Sequence, residues 1–226
     1  MTAAIFDLDG TLVDSAPDIH SVANAVLAEH GHGAITLAQT VAFIGNGSEV
    51  FVTRMMQAVG LPAQSPLFSQ LHDAFLDRYE RTFELSRPFP GVEDQLRTLG
   101  AAGWRLGLCT NKPAAPTQAL LDHLDLAQHF EAIICGDTLR VRKPDPAPLR
   151  HAATALGAGR AVYVGDSEVD SRTARAAAIP FALFTRGYRN APVADIAHDV
   201  AFEDFGTLKP LLERLFDAQS GDRLYS

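Results

Sequence analysis

Apolar residues are laid along this chain in two rhythms. Five short runs, Ala3–Leu8, Arg105–Cys109, Ala132–Cys135, Ala161–Val164 and Phe181–Phe184, are nearly continuous in apolar or β-forming residues and are bounded by polar turns. That is the pattern of strands buried on both faces. Between the later runs, apolar residues return at helical spacing over Val92–Leu99, Pro116–Leu124, Pro146–Leu156, an alanine-rich Glu168–Ala178 ended by Pro180, and Phe205–Phe216. Prolines at the start of the third of these suit a first helical turn. Strand–helix alternation predicts an α/β fold, a doubly wound parallel sheet with helices on both faces.

One stretch breaks the alternation. From the first strand to Pro88 only helical periodicity is present. Ser15 is placed to cap a helix with Pro17 in its first turn, and Ile19, Val22, Val26 and Leu27 form its apolar stripe. Gly31 and Gly33 end it, and further helices are expected at Leu37–Ile44, Ser48–Val59 and Pro66–Phe83. The expected organisation is a core of residues 1–15 and 88–226 with a helical insertion, residues 16–87. The polar tail from Asp217 to Ser226 is expected to fray.

Composition narrows the function. The 226 residues are 47% hydrophobic and 20% charged, which is the make-up of a packed globular protein. A net charge of −8 argues against a nucleic-acid partner, since a phosphate backbone calls for a basic surface. The longest apolar stretch, Ala176–Phe184, contains a proline and is too short to span a bilayer. Met1–Phe6 runs straight into Asp7 and Asp9 with no basic start or apolar leader, so a cytoplasmic location is expected. Cys109 and Cys135 both end apolar runs and are expected to be buried free thiols. The eight histidines are scattered without zinc-ligand spacing.

Ligands of a doubly wound sheet bind at the carboxyl ends of its strands. Here those ends carry Asp7-Leu8-Asp9-Gly10-Thr11, then Thr110-Asn111-Lys112, then Lys143-Pro144, then Gly165-Asp166-Ser167 with Asp170 just beyond. Four carboxylates on one edge would repel, at about 4 kcal/mol per pair for a 4 Å separation and an effective dielectric of about 20. A cation or protonation must relieve them. All-oxygen donors with open positions suit Mg²⁺, which shares a phosphate oxygen. Lys143 adds a fixed positive charge, and Thr110 and Asn111 add neutral donors, completing a cradle for a phosphoryl group. Asp7 and Asp9, two apart on an extended chain, face the same way. One can attack phosphorus to give an aspartyl-phosphate, and the other can protonate the leaving oxygen and then activate water.

The segments Asp7 to Ser15, Cys109-Thr110-Asn111-Lys112, Lys143-Pro144-Asp145-Pro146 and Val164-Gly165-Asp166-Ser167-Glu168-Val169-Asp170 resemble, in order, the four motifs of haloacid dehalogenase superfamily phosphatases. The likeness covers essentially the whole chain and is greatest to the phosphoglycolate phosphatase branch. It implies a Rossmann-like core with a mobile helical cap, Asp7 as nucleophile and Asp9 as general acid and base. It also implies Thr110 and Lys143 on the phosphoryl oxygens. Mg²⁺ would be held by Asp7, the Asp9 carbonyl and Asp166, with Asp170 acting through water or Lys143. Asp9 separates the chain from the dehalogenases, whose first motif lacks it.

Ile44-Gly45-Asn46-Gly47 before the helix at Ser48 resembles the cap loop of that branch. Free amides at such a turn suit a small anion, so Gly45, Asn46 and Gly47 are candidate substrate-binding residues. Arg54, on the same helix, reads as a solvated arginine. Two positions depart from the branch's pattern. Phe51 stands where leucine is usual, and Ala178 stands where glycine usually precedes the Ile-Pro step, at a cost of about 1 kcal/mol if the backbone there is left-handed.

The expectation is a phosphomonoesterase acting on a small-molecule phosphate ester, with 2-phosphoglycolate favoured. The alternatives are a phosphosugar phosphatase or mutase on the same core, and a non-catalytic module that has lost the strand-end residues. Asp7, Asp9, Lys143 and Asp166 are all present.

Overall fold

The structure, a computed structural model, describes residues 1–221. The chain opens with β1 (Thr2–Phe6) and, after a tight loop, β2 (Val13–Asp14). Helices α1 (Ala16–Glu29), α2 (Leu37–Phe43), α3 (Ser48–Ala58) and α4 (Leu67–Tyr79) follow, and β3 (Arg87–Pro88) brings the chain back. Then come α5 (Val92–Ala101), β4 (Arg105–Cys109), α6 (Ala114–His123), β5 (Ala132–Ile134) and α7 (Ala147–Ala155). The chain ends with β6 (Arg160–Gly165), α8 (Glu168–Ala177), β7 (Phe181–Phe184), β8 (Val200–Phe202) and α9 (Leu208–Gly221).

The parallel sheet runs β5-β4-β1-β6-β7-β8. Its strands read as apolar runs because both faces are covered. Ala4 and Phe6 of β1 join Leu106, Leu108, Val164 and Phe184 in one core, packed under Val92, Leu96 and Leu99 of α5, Leu120 of α6 and Leu208 of α9. Ala3 and Ile5 point the other way, into a second core with Tyr163, Leu183, Leu149 of α7 and Ala174 of α8. Each fully buried Phe or Leu contributes about 1.5–3 kcal/mol relative to exposure.

The four helices between β2 and β3 have an apolar cluster of their own, made of Ile19, Val22, Val26, Phe51, Met55, Leu71 and Phe75 among others. Phe51 is buried there, stacked on Phe75 at 5.1 Å between ring centroids, so the larger ring fills space in the helical cluster. The chain crosses into and out of this unit through β2 and β3, which pair antiparallel, Val13 with Pro88 and Asp14 with Arg87. Asp18, buried in the first turn of α1, accepts from the backbone N–H of Leu85 and Ser86 and from the Ser86 hydroxyl, which fastens the two crossings together.

Several local expectations need correction. Ser15 sits at the N-terminus of α1 but makes no capping bond. Its hydroxyl donates to Asp9 Oδ1 at 2.5 Å, and the N–H of Ala16 is satisfied by the Tyr188 hydroxyl at 2.9 Å. The helix expected at Phe205–Phe216 begins as a 3-10 turn over Phe205–Thr207, and α9 then runs on to Gly221. The rest of the polar tail lies outside the described residues. β8 was not foreseen, because three residues flanked by Asp199 and Glu203 are too short to give a pattern. Ala178 does adopt the left-handed conformation, with φ of 57°, at the end of α8. Both cysteines are free and buried, and burial pushes the Cys109 thiol up to about 12. Among the described residues, no helix is long and apolar enough to cross a membrane.

Candidate active site

In a parallel sheet every strand delivers its C-terminal end to one edge. The neighbours β4-β1-β6 therefore bring Thr110, Asp7 and Asp166 together at the centre of that edge, and the loop after β5 adds Lys143. After β1 the backbone reverses at once: the N–H groups of Thr11, Leu12 and Val13 all donate to the Leu8 carbonyl. Gly10 makes that turn with φ of +85°, and a Cβ there would lie 2.6 Å from Asp166 Oδ2. Only glycine lets the first loop approach the Asp166 carboxylate so closely.

Asp7, Asp166, Asp170 and Lys143 are all buried. Lys143 Nζ donates to Asp170 Oδ1 at 2.8 Å and forms an ion pair with Asp7 Oδ1 at 3.0 Å. That second contact is off hydrogen-bonding geometry, so Asp7 Oδ1 is left buried without a hydrogen bond. The Tyr163 hydroxyl lies 2.8 Å from both Lys143 Nζ and Asp170 Oδ1. Asp170 Oδ2 accepts from the N–H of Asp166 and of Ser167 and from the Ser167 hydroxyl, the last at 2.6 Å, and the bond from the Ser167 N–H is half of a capping box on α8. Asp166 is held more lightly: Oδ1 accepts from the Thr11 hydroxyl and Oδ2 from the Tyr188 N–H, each at 2.6 Å. With two lone pairs per oxygen, Asp170 is saturated and Asp166 is not.

Carboxylate oxygens of Asp7, Asp166 and Asp170 lie within 4.8 Å of one another and form a group able to hold a cation. Burial, aided by the Asp170 charge and opposed by Lys143, raises the Asp7 carboxyl to about 7. Asp166 is likewise pushed well above the usual carboxylate range by burial, then by Asp170 and Asp7. Asp170 goes the other way. Burial works against its charge, but Lys143 and the hydrogen bonds from Lys143, Ser167 and Tyr163 outweigh it and keep Asp170 ionised. Lys143 is desolvated too, yet Asp170 and Asp7 hold its ammonium well above the ordinary lysine value.

Above this cluster is a cavity of about 40 Å³ between the sheet edge and the helical unit. Asp7, Asp9, Thr110, Asn111 and Lys112 line it from below, and Ile19, Ile44, Gly45, Gly47, Ser48, Phe51, Phe75 and Tyr79 from above. At roughly 10–15 Å³ per water, that is room for about three waters. Asn111 differs from expectation. Both its amide hydrogens are committed, to the Gly45 and Lys143 carbonyls at 2.9 Å each, so it ties the loop before α3 to the sheet edge. Gly45 and Gly47 reach the cavity wall, whereas Asn46 does not line it. Arg54 also departs from expectation: it is half-buried, and its guanidinium donates to the Ala42 carbonyl near the C-terminal end of α2.

The site contains residues to which the sequence assigned no role. Lys112 follows Thr110 and Asn111 on the same strand-end turn, and that position was the available signal. Tyr163 is a lone hydroxyl in a strand buried on both faces, a pattern that asks for a polar partner. Tyr188 gives no local signal. It meets Asp166, Asp14 and Ala16 only through the fold.

Fold and strand-end geometry define a class. The chain belongs to the haloacid dehalogenase-like hydrolase family, which it matches over residues 4–184. Within it, the chain is similar to phosphoglycolate phosphatase of Cereibacter sphaeroides (strain ATCC 17029 / ATH 2.4.9), at 48% identity over 95% of this chain and 99% of the relative. It is 39% identical to the phosphoglycolate phosphatase of Rhodospirillum rubrum over 98% of this chain and 94% of that one. The crystal structure of a predicted phosphoglycolate phosphatase from Haemophilus somnus superposes with a TM-score of 0.87 at 29% identity, covering 93% of this chain and 97% of that one.

Proposed function

We propose that the protein is a Mg²⁺-dependent phosphomonoesterase that hydrolyses 2-phosphoglycolate through an aspartyl-phosphate on Asp7, with residues 16–87 as a cap over a core of residues 1–15 and 88–226. One observation carries this reading. Asp7 is buried among Lys143, Asp166 and Asp170 with one oxygen that accepts no hydrogen bond, and it shares a cavity with Asp9.

The donor set fits the metal. It consists of oxygens alone, and the burial and neighbouring carboxylate charge that raise Asp7 and Asp166 are what a divalent cation offsets. Asp7, Asp166 and the Asp9 carbonyl would hold it, while the saturated Asp170 acts through Lys143 or water. When bound, Mg²⁺ neutralises charge on the phosphoryl oxygens. Asp7 attacks phosphorus, and the bond to the ester oxygen breaks as Asp9 gives that oxygen its proton. Asp9 then takes a proton from water, whose oxygen attacks the same phosphorus and frees the Asp7 carboxylate and phosphate. Lys143 and Thr110 bear on the phosphoryl oxygens throughout.

One observation supports a two-carbon acid as substrate. The relative from Cereibacter sphaeroides, at 48% identity, bears the name phosphoglycolate phosphatase.

The test is phosphate release from a panel of small phosphorylated acids, sugars and nucleotides with Mg²⁺. We expect 2-phosphoglycolate among the best substrates, silence in excess chelator, and recovery on adding Mg²⁺. Asp7→Asn should cost on the order of 10⁴-fold or more in kcat with an unchanged circular dichroism spectrum. Full turnover in that variant overturns the nucleophile, full turnover in chelator overturns the metal, and an isomerised phosphosugar as product favours the mutase.

A further inference from the structure

Lys112 enters the cavity on the same strand-end turn as Thr110, yet the reaction above leaves it without a task. Its side chain is only 2% exposed. Its ammonium donates to Asp9 Oδ1 at 3.2 Å and to the Tyr79 hydroxyl, and it stands 3.8 Å from the centre of the Tyr79 ring. An ammonium has three hydrogens, and these contacts use two. Asp9 Oδ1 is itself shared with the Ser15 hydroxyl, so the lysine's counter-charge is divided. Around it the cavity wall is apolar at Ile19, Ile44, Phe51 and Phe75, and acidic at Asp7 and Asp9. Among the described lining residues Lys112 is the only cation.

We propose that Lys112 determines specificity by binding the carboxylate of the phosphorylated acid; this rests on the 2-phosphoglycolate reading and deepens it. In a two-carbon acid the carboxyl carbon is two bonds beyond the ester oxygen. Asp9 serves that oxygen, and Lys112 touches Asp9, so the cation stands one short step further along the substrate. A carboxylate entering an apolar cavity needs a charge partner, and a buried ammonium with a divided counter-ion offers one. The Gly45–Gly47 loop supplies shape rather than charge here: Asn46 lies off the wall, and a Cβ at Gly47 would meet the Arg142 guanidinium at 2.7 Å. Sites built around a buried polar partner reject analogues that lack it far more strongly than apolar pockets reject a missing methylene.

The experiment compares the full chain and Lys112→Met, with Mg²⁺, on 2-phosphoglycolate and on its neutral amide, 2-phosphoglycolamide. Wild type should prefer the acid. The variant should lose about 10²-fold of that preference in kcat/KM, mainly through KM for the acid, and Lys112→Arg should keep most of it. If Lys112→Met does not give the native circular dichroism spectrum, Lys112→Gln against Lys112→Arg makes the same comparison. Equal losses on both substrates, as a lysine that only steadies Asp9 would give, overturn the role of Lys112 and leave the substrate reading standing. A wild type inactive on 2-phosphoglycolate overturns both.

Discussion

The two walls of the cavity are built on opposite principles. At the sheet edge, buried charges are packed into a network in which nearly every oxygen has a named donor, as Asp170 has in Lys143, Tyr163 and Ser167. The helical wall is aromatic and aliphatic, with Phe51 and Phe75 stacked over the opening. The first arrangement is stiff, because moving any member strands a buried charge. The second is apolar, and its polar ties to the core, among them Tyr79 to Lys112, Asn111 to the Gly45 carbonyl and Arg142 to Glu49, involve no strand ladder. The sheet edge gathers the charged groups, and the helical wall gives the cavity most of its apolar lining.

Removing a partner from the charged network should give the largest effect. Asp170→Ala is expected to cost about 3–5 kcal/mol by leaving Lys143 under-compensated in a buried site, read as a lower denaturation midpoint together with a loss of kcat. A variant as stable as wild type would mean that the network is not the stiff wall described.

Phe51→Ala probes the other wall. Cutting back a buried ring should cost about 3 kcal/mol. The loss should concentrate in the helical cluster, detectable as an earlier unfolding phase in amide exchange for α3 and α4 than for β1. A uniform loss across both regions would break the comparison.

A pH series separates the walls more gently. The Asp7 carboxyl ionises near 7 when folded and near 3.8 when unfolded. Between those values the unfolded chain binds fewer protons, so the Asp7 contribution to stability is intact below about pH 4 and falls as pH rises to about 7. Asp170, shifted downwards, already contributes throughout that window. Metal-free wild type should therefore lose more thermal stability than Asp7→Asn as pH rises from 4 to 7, and Mg²⁺ should shrink the difference. Identical slopes in wild type and variant would remove the repulsion argument.

The smallest effect lies away from both walls. Ala178→Gly at the exposed left-handed end of α8 should raise stability by about 1 kcal/mol with kcat unchanged. A loss instead would show that unfolded-chain entropy outweighs the strain.

The strand-end residues and the four inserted helices were legible in the sequence, and the ties that cross between elements were not. Strand ends announce themselves, because an apolar run must stop and whatever follows it sits on the sheet edge. Asp7, Thr110, Lys143 and Asp166 were legible for that reason, as were five of the strands and the helices between them. Partners that arrive across the fold leave no such trace. Tyr188 donates to Asp14, 174 positions earlier, and Lys112 finds Tyr79, 33 positions away on another element. Ser15 was misread for a related reason: a hydroxyl before a helix signals a cap, but a nearby carboxylate is the stronger acceptor. The Asn111 amide follows the same rule, since nothing local reveals that two carbonyls will claim its hydrogens.

The position of β1 in the middle of the sheet has a consequence for damage. Its residues Ala3 to Phe6 are wholly buried, with helices over both faces and a strand on either side. The segment that carries Asp7 is thus the keystone of the molecule rather than a projecting limb. Proteolytic nicks or heat that fray the outer helices reach it last, so a molecule worn at its periphery still keeps the strand that carries Asp7 in place.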